Sequence, residues 1–459
     1  MSLSPPKTRA SGVLLHPTSL PDFSTLGALG SNAYQFIDFL NQCGFSYWQV
    51  LPMGPTHDDG SPYNSLSAFA GNPHWLGKQW LAEQPDAQIE NYAALSEFRE
   101  QHYYWLDDFA LFTAIKQQQN GQHWIHWPDA LRVRQPSALE AFRDEHQTAI
   151  NAIIQGQYHF STQWTLLKQY AAANHIKIIG DLPIFVAHDS ADVWSHQHLY
   201  KLDSKGQPTV VAGVPPDYFS KTGQRWGNPL YQWDALKDQH YEWWIKRLEH
   251  SLSQFDWIRI DHFRGFDACW EIPAAEATAV NGEWVTSPGE DLFERLTKQL
   301  GSLPLIAEDL GIITPEVEQL RDNFNLPGMR ILQFAHDSDG LNPYLPHNHI
   351  PNSVVYTGTH DNDTTLGWYL ALSNEQKRRV LNYYAWPQES MPWPMIKCAL
   401  SSVAKLAIIP MQDILALDGK HRMNTPGTTQ GNWLWQFTWD QISKELPAYI
   451  ASLNEVYNR

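Results

Sequence analysis

Short apolar segments recur along this chain, and several of them lead directly to a carboxylate. The clearest is Trp257–Asp261, an aromatic and β-branched run that stops on charge. Three similar runs lead to Asp181, Glu308 and Asp361. Four strand ends that present acids toward one place predict a functional site rather than four separate surface charges.

Eight segments have the length and composition of short buried strands, and segments with helical periodicity lie between most of them. They are Gly12–His16, Tyr47–Leu51, Lys177–Leu182, Trp257–Asp261, Leu305–Leu310, Met329–Phe334, Ser353–Thr357 and Leu406–Met411. Strands that alternate with helices favour a parallel sheet. Eight of them predict an α/β protein with a (β/α)8 TIM barrel, whose functional residues lie at the carboxyl ends of the strands.

The spacing of the predicted strands is uneven, which predicts insertions at the carboxyl-end rim. Residues 52–160 read as a mostly helical subdomain, 186–235 as a long lid-like loop and 267–290 as a short rim insertion. Helical patterns occur at Leu95–Gln118, Ala138–Ile154, Gln163–Ala173 and Asp238–Leu252. With no internal repeat and no flexible linker, residues 1–459 are interpreted as one catalytic domain.

Composition excludes several functional classes. The net charge is −17, which argues against nucleic acid or an anionic membrane surface as partner. The three cysteines are far apart in sequence, so they indicate neither a disulfide framework nor a zinc motif, and we expect a cytoplasmic protein. No apolar run approaches the length of a membrane span, and Met1–Gly12 lacks a signal-peptide pattern.

Tryptophan is unusually frequent, with 21 Trp beside 19 Tyr and 19 Phe. Aromatic faces stack on the apolar faces of sugar rings, and the indole N–H can donate to hydroxyl groups. This favours a carbohydrate ligand, although a large core also uses tryptophan.

Arg259 and Asp261 lie two residues apart, so on a strand both side chains point to the same face. A buried guanidinium and carboxylate either form a structural ion pair or act in chemistry. Arg259 favours the ionised form of Asp261, which suits a nucleophile.

Glycoside cleavage with retention needs a second carboxyl group that is protonated at the working pH. Glu308 follows an apolar run and is the natural general acid and base. Asp361, behind His360, is placed to stabilise developing positive charge and to bind sugar hydroxyls. For Asp309 we expect a helix cap or a structural hydrogen bond, and for Asp363 a helix N-cap.

Three segments that hold these acids, Arg259–Gly265, Ile306–Gly311 and Gly358–Thr364, resemble the catalytic signatures of amylomaltases. These are the 4-α-glucanotransferases of glycoside hydrolase family 77, within the α-amylase superfamily. Further segments that resemble the family are Ser61–Tyr63, Ser67–Pro73, Gly180–Ala187, Gly213–Ser220, Gly223–Pro229, Arg422–Asn424, Pro426–Thr428 and Asn432–Trp433. The resemblance therefore runs nearly end to end.

The resemblance implies Asp261 as nucleophile, Glu308 as acid/base and Asp361 as transition-state stabiliser. It also implies substrate contacts from Tyr63, Asp181, Trp226, Arg259 and His360. The expected substrates are malto-oligosaccharides and glucans derived from starch or glycogen, transferred with retention and with neither cofactor nor metal. Because a lid that excludes water leaves a sugar as acceptor, Val186–Trp233 is the candidate lid.

The sequence departs from the family's pattern at two places, and three alternative functions are also compatible with it. Thr56–Gly60 lacks the family's usual glycine–tyrosine step, and Asn64 stands where glutamine is common, which bears on chain-length preference. An α-glucan hydrolase and a non-catalytic starch-binding protein are the alternatives closest to the resemblance. A metal-dependent hydrolase is less favoured because the ligand-like pairs His196/His198 and His347/His349 fall in loops.

Overall fold

The eight apolar segments form eight parallel strands that close into a barrel. The computed structural model describes residues 9–78, 92–216 and 220–459. The barrel strands are β1 (Ala10–Leu14), β2 (Tyr47–Gln49), β3 (Lys177–Pro183), β6 (Trp257–Asp261), β9 (Leu305–Ala307), β10 (Gly328–Ile331), β11 (Ser353–Tyr356) and β12 (Leu406–Pro410). They neighbour one another in chain order, and β12 pairs with β1 to complete the ring. The predicted (β/α)8 barrel is confirmed.

The positions of the predicted strands are confirmed, although their ends differ. The clearest case is β9, which was expected to run to Leu310 and ends at Ala307. At that point the Glu308 carboxylate accepts hydrogen bonds from the backbone N–H groups of His262 and Leu310. A side chain thus takes the place of a backbone carbonyl as the hydrogen-bond acceptor.

We expected a lid-like loop at 186–235 and a short rim insertion at 267–290, and both segments also contain strands. They contribute a four-stranded antiparallel sheet of β4 (Val210–Val214), β5 (Gln224–Pro229), β7 (Ala268–Pro273) and β8 (Glu283–Thr286), in the order β5-β4-β7-β8. Pairing of β4 with β7 joins the two insertions. Gly213 permits the close approach of β5, since a Cβ there would lie 2.2 Å from the carbonyl oxygen of Gln224.

Three residues of the family-like segment Gly213–Ser220, at 217–219, lie outside the described residues, as do 1–8 at the N-terminus and 79–91 in the helical insertion. We propose that the chain is one barrel domain with rim insertions.

Helices surround the barrel and fill the first insertion. They are Phe23–Leu26, Ser31–Gln42, Tyr92–Gln101, Tyr103–Gln118, Asp129–Arg132, Pro136–Ala173, Ala191–Ser195, Trp233–Asp238, Glu242–Gln254, Gly289–Leu300, Pro315–Asn323, Thr365–Ala371, Asn374–Tyr383, Trp393–Ser401, Met411–Ile414 and Leu446–Val456. Among the described residues, none combines the length and apolar character needed to cross a bilayer.

Three helix predictions need correction. The segment predicted at Leu95–Gln118 is two helices, Tyr92–Gln101 and Tyr103–Gln118, which are separated at His102 (φ −113°, ψ 13°). The segments Ala138–Ile154 and Gln163–Ala173 belong to one helix, Pro136–Ala173, which departs from helical geometry at His146 (φ −114°, ψ 22°). The segment predicted at Asp238–Leu252 is divided instead, because His240 and Tyr241 both have positive φ.

The barrel interior changes from apolar to polar along its axis. Side chains at alternate positions of a strand share a face. Ile179, Trp257, Ile306 and Val354 therefore form part of an apolar interior cluster. The residues two positions further along the same strands or just beyond them are Asp181, Arg259, Glu308 and Tyr356. The carboxyl-end mouth is consequently polar.

The buried hydroxyl of Tyr356 donates to Gln49 Oε1 across the barrel, at 2.9 Å. We expect Tyr356→Phe to lower the free energy of unfolding by about 1–3 kcal/mol, because the amide oxygen is left buried without its donor. Chemical denaturation measures this, with Tyr103→Phe as control because Tyr103 is 70% exposed. Equal denaturation midpoints for the two variants would contradict the expectation.

Candidate active site

A buried arginine organises the carboxyl ends of β3 and β6. Asp181 and Arg259 are partners in the strand register, and Arg259 Nη1 donates to both oxygens of Asp181 at 2.8 and 2.9 Å. Its Nη2 donates to Asp261 Oδ1 at 3.0 Å. The Asp181 side chain is fully buried, whereas that of Asp261 is 30% exposed. One guanidinium thus neutralises a buried acid and holds a second acid at the open side of the site.

The loop after β2 covers this ion pair through Tyr63. The Tyr63 hydroxyl donates to Asp181 Oδ2 at 2.7 Å. Its ring stacks on His360, with centroids 5.2 Å apart and planes 13° apart, and Trp433 lies 6.0 Å from both rings. Loops from three distant parts of the chain therefore meet at the barrel mouth.

Glu308 contacts the backbone of His262, the residue that follows Asp261. Its Oε2 accepts from the backbone N–H of His262 at 2.7 Å, and its Oε1 accepts from that of Leu310 at 3.0 Å. Burial raises the pKa of Glu308 to about 7, and the negative charge of Asp261 acts in the same direction while Arg259 opposes it. A substantial fraction of Glu308 is therefore protonated at neutral pH.

The backbone between the two acids is strained at His262, which has φ 52°. Left-handed geometry in a residue other than glycine costs about 1 kcal/mol or more and is concentrated at functional sites. Here it turns the chain sharply after Asp261 and aims the N–H of His262 at Glu308.

Asp361 faces the cleft from the loop after β11, with 47% of its side chain exposed. Asn424 Nδ2 donates to its Oδ1 at 2.7 Å, and Arg422 donates to its backbone oxygen at 2.9 Å. His360 Nε2 lies 3.4 Å from the same carboxylate. Asn424 and Trp433 were noted only within family-like segments, and nothing in their local sequence predicted these contacts.

Trp226 on β5 brings the second sheet to the site. Its ring is 39% exposed and meets His262 edge-on, with centroids 4.8 Å apart. All eight residues proposed from the sequence are thus linked by contacts around one end of the barrel.

Two neighbouring acids have other surroundings. Asp309 is buried, pairs with Arg321 at 2.5 Å and accepts from the N–H of Met329 at 2.7 Å, in agreement with the structural role expected for it. The expectation that Asp363 caps a helix is wrong. Thr364 occupies the N-cap position, and its hydroxyl oxygen accepts from the N–H of Gly367 at 3.0 Å.

The histidine pairs considered as metal ligands make other contacts. His349 pairs with Ser402 and with the carbonyl of Tyr344, while His347 pairs with Tyr383. Within the described ranges, no group of three or more His, Cys, Asp or Glu side chains is arranged to hold a metal ion.

A family model for glycoside hydrolase family 77, described as 4-alpha-glucanotransferase, matches residues 15–88 and 78–441. The chain belongs to this family.

Relatives within family 77 match almost the whole chain. A 4-alpha-glucanotransferase of Thermus thermophilus is 47% identical and one of Synechocystis sp. is 46% identical, each over 98% of this chain and 99% and 98% of the relative. The solved amylomaltase of Streptococcus agalactiae in complex with acarbose is 37% identical, with a TM-score of 0.94 over 98% of this chain and 99% of that one. The Thermus alignment is 497 positions long, more than the 459 residues here, so that relative has segments that this chain lacks.

The raised pKa of Glu308 predicts a pH-dependent effect of Glu308→Gln on stability. Below the ordinary value of 4.5, the folded and unfolded chains both hold the proton. As pH rises from there to about 7, the unfolded chain releases it first, so wild-type stability falls. Glutamine cannot ionise, and the variant should therefore gain stability relative to wild type across this window. Thermal denaturation at a series of pH values measures the difference, and a pH-independent difference would count against the assignment.

Proposed function

We propose that this chain is a 4-α-glucanotransferase that moves α-1,4-glucan segments between malto-oligosaccharides by a retaining double displacement. The observation that supports this most directly is a pair of carboxyl groups at one barrel mouth with opposite surroundings. Asp261 receives a hydrogen bond from a buried guanidinium, whereas burial raises the pKa of Glu308 to about 7. Retaining chemistry needs one ionised and one protonated carboxyl group. Membership in family 77 supports the same substrate class.

In the first half-reaction, protonated Glu308 gives its proton to the glycosidic oxygen that departs. The Asp261 carboxylate attacks the anomeric carbon from the other face and forms a covalent glucanyl ester. The exposed carboxylate of Asp361 stabilises the positive charge that develops on the sugar ring.

In the second half-reaction, Glu308 is a carboxylate and takes the proton from the 4-hydroxyl of the acceptor sugar. The acceptor oxygen then attacks the anomeric carbon and Asp261 leaves, so two inversions restore the α configuration. Tyr63, His360 and Trp226 present aromatic surface to the sugar, and Asp181 and Arg259 fix its surroundings.

Transfer instead of hydrolysis requires that water be kept from the covalent intermediate. We assign this task to the segment Val186–Trp233, which contains β4 and β5 and places Trp226 against His262.

The substrates proposed are soluble glucans from starch or glycogen. The three cysteines are unpaired, which fits our proposal of a reducing cytoplasm.

The experiment that tests this function is incubation of the enzyme with maltotriose alone. A glucanotransferase yields glucose together with a ladder of longer oligomers, detected by chromatography. A hydrolase would give only shorter sugars, and a starch-binding protein would leave maltotriose intact; either result would overturn the proposal.

Asp261→Asn should reduce transfer by about a thousandfold or more, since the attacking carboxylate is absent. Substrate affinity should persist because the asparagine keeps the shape of the side chain. Steady-state rates and equilibrium binding of maltotriose measure the two effects separately. Wild-type turnover in this variant would contradict the role of Asp261.

Glu308→Gln should nearly abolish transfer from ordinary glucans but retain partial reaction with an α-glucosyl fluoride, because fluoride departs without a proton donor. Wild-type kcat should also decline as pH rises through about 7, as the acid form of Glu308 is lost. Rates with both donors across pH provide the measurement. Because Glu308 is also the base of the second half-reaction, the two donors are compared in the first turnover, and equal losses there would exclude Glu308 as the acid.

A further inference from the structure

A buried aspartate lies just beyond the end of the last barrel strand. Asp413 belongs to helix Met411–Ile414, which follows β12 directly, and only 1% of the residue is exposed. Since β11 and β12 pair in parallel, their carboxyl ends are neighbours. Asp413 therefore lies beside the loop that follows β11. We call residues 358–364 the Asp361 loop, because they carry Asp361 at the barrel mouth.

Both ends of the Asp361 loop are bonded to the carboxyl group of Asp413. Before the loop, the Thr357 hydroxyl donates to Asp413 Oδ2 at 2.5 Å. After the loop, the Thr365 hydroxyl donates to the same oxygen at 2.6 Å, and the Thr365 backbone N–H donates to Oδ1 at 2.7 Å. Both threonines are fully buried. One carboxyl group thus joins the two ends of the loop.

The two hydroxyl bonds have the length of bonds to a carboxylate. Such bonds measure about 2.5–2.7 Å and are about twice as strong as those between neutral groups. Burial raises the pKa of Asp413, and the hydrogen bonds from Thr357 and Thr365 oppose that rise. All of these donors belong to the ends of the loop. Separation of the ends would therefore leave a buried acid without its hydrogen bonds, which is unfavourable.

The tip of the Asp361 loop is bonded to the segment that follows Asp413. Asn424 Nδ2 donates to Asp361 Oδ1 at 2.7 Å, and the Asn424 backbone N–H donates to the His360 carbonyl at 3.2 Å. The loop is thus fixed at its ends by Asp413 and at its tip by Asn424. Because the tip follows the ends, loss of the contacts at Asp413 changes the direction in which Asp361 points.

We propose that Asp413 is a positioning residue for Asp361: by joining the two ends of the loop, it holds the Asp361 carboxylate in place beside the sugar. Asp413 itself touches no sugar and transfers no proton. Since it acts through Asp361, its role rests on the function proposed for that residue. A catalytic group that is displaced by about 1 Å can lose about a hundredfold in rate, so a buried tether of this kind matters for turnover.

Three substitutions separate the tether from other effects. Asp413→Ala removes all three bonds. Asp413→Asn keeps the shape of the side chain, and its amide can accept from the Thr365 N–H and donate to the two hydroxyl oxygens, so the tether should persist. Ile450→Ala is the matched control for lost stability, because Ile450 is buried on the helix Leu446–Val456 at the outside of the barrel.

Hydrogen–deuterium exchange followed by mass spectrometry measures the tether without turnover. The peptide that spans residues 357–366 should exchange faster in Asp413→Ala than in wild type, because the Thr365 N–H loses its acceptor. Asp413→Asn and Ile450→Ala should keep wild-type exchange in this peptide. Equal exchange in wild type and a folded Asp413→Ala variant would overturn the tether, whatever the transfer assay shows.

The rate of fluoride release from α-maltosyl fluoride in the first turnover tests the action through Asp361. We expect Asp413→Ala to lower the rate at saturating donor about tenfold or more, with less than about threefold change in the donor concentration that gives half of that rate. Asp413→Asn and Ile450→Ala should stay within about threefold of wild type. In an Asp361→Asn parent, Asp413→Ala should cost less than about threefold, since the carboxylate that the loop positions is already absent.

Thermal denaturation checks that each variant is folded. If Asp413→Ala does not fold, Thr357→Val, which removes one bond at nearly constant volume, takes its place and should give a smaller loss in the same direction. A wild-type rate in the folded variant, or an equal loss in the wild-type and Asp361→Asn parents, would overturn the positioning role. An Asp361→Asn variant as fast as wild type would instead contradict the function proposed for Asp361, and the positioning role with it.

Discussion

The contact on which the catalytic end of this barrel depends is the buried guanidinium of Arg259 between Asp181 and Asp261. Two carboxylates and one cation lie on adjacent parallel strands, and a charge left there without a partner costs about 3–5 kcal/mol. The strand register places Asp181 and Arg259 side by side, so the contact of Arg259 Nη1 with both Asp181 oxygens follows from the barrel itself. Asp261 then extends from a fixed base into the open cleft.

The same geometry gives Glu308 the opposite environment. It follows a buried apolar strand and receives only backbone N–H groups, one of them from His262, whose strained backbone conformation aims it. Burial dominates, and the pKa rises to about 7. Two carboxyl groups at one barrel end thereby have different surroundings, as the proposed roles of acid and nucleophile require.

The sequence predicts much of this arrangement, for physical reasons. A barrel strand is buried on both faces, so it appears as a short apolar run, and the first polar residue after it lies at the mouth. For this reason, the sequence alone predicts that Asp181, Asp261 and Glu308 lie at the barrel mouth. The expectations of a transfer reaction and of sugar contacts by Trp226 and Tyr63 came from resemblance to the family instead.

What the sequence did not reveal depends on contacts between distant segments. Asn424 reaches Asp361 across 63 residues, and no local pattern encodes that bond. The second sheet was missed because β4 and β7 find each other only through pairing between two insertions, within segments rich in turn residues. The N-cap at Thr364 differs by one residue from the one expected, and choosing between adjacent capping side chains requires backbone geometry.

The proposed mechanism requires that Asp261 form a bond to the sugar while Glu308 transfers the proton. Intact-protein and peptide mass spectrometry can test this most directly, using Glu308→Gln incubated with an α-maltosyl fluoride, because the intermediate forms without an acid and then persists without a base. We expect one maltosyl unit per chain, attached to the peptide that contains Asp261. A sugar found on Asp361 or on any other residue would contradict it.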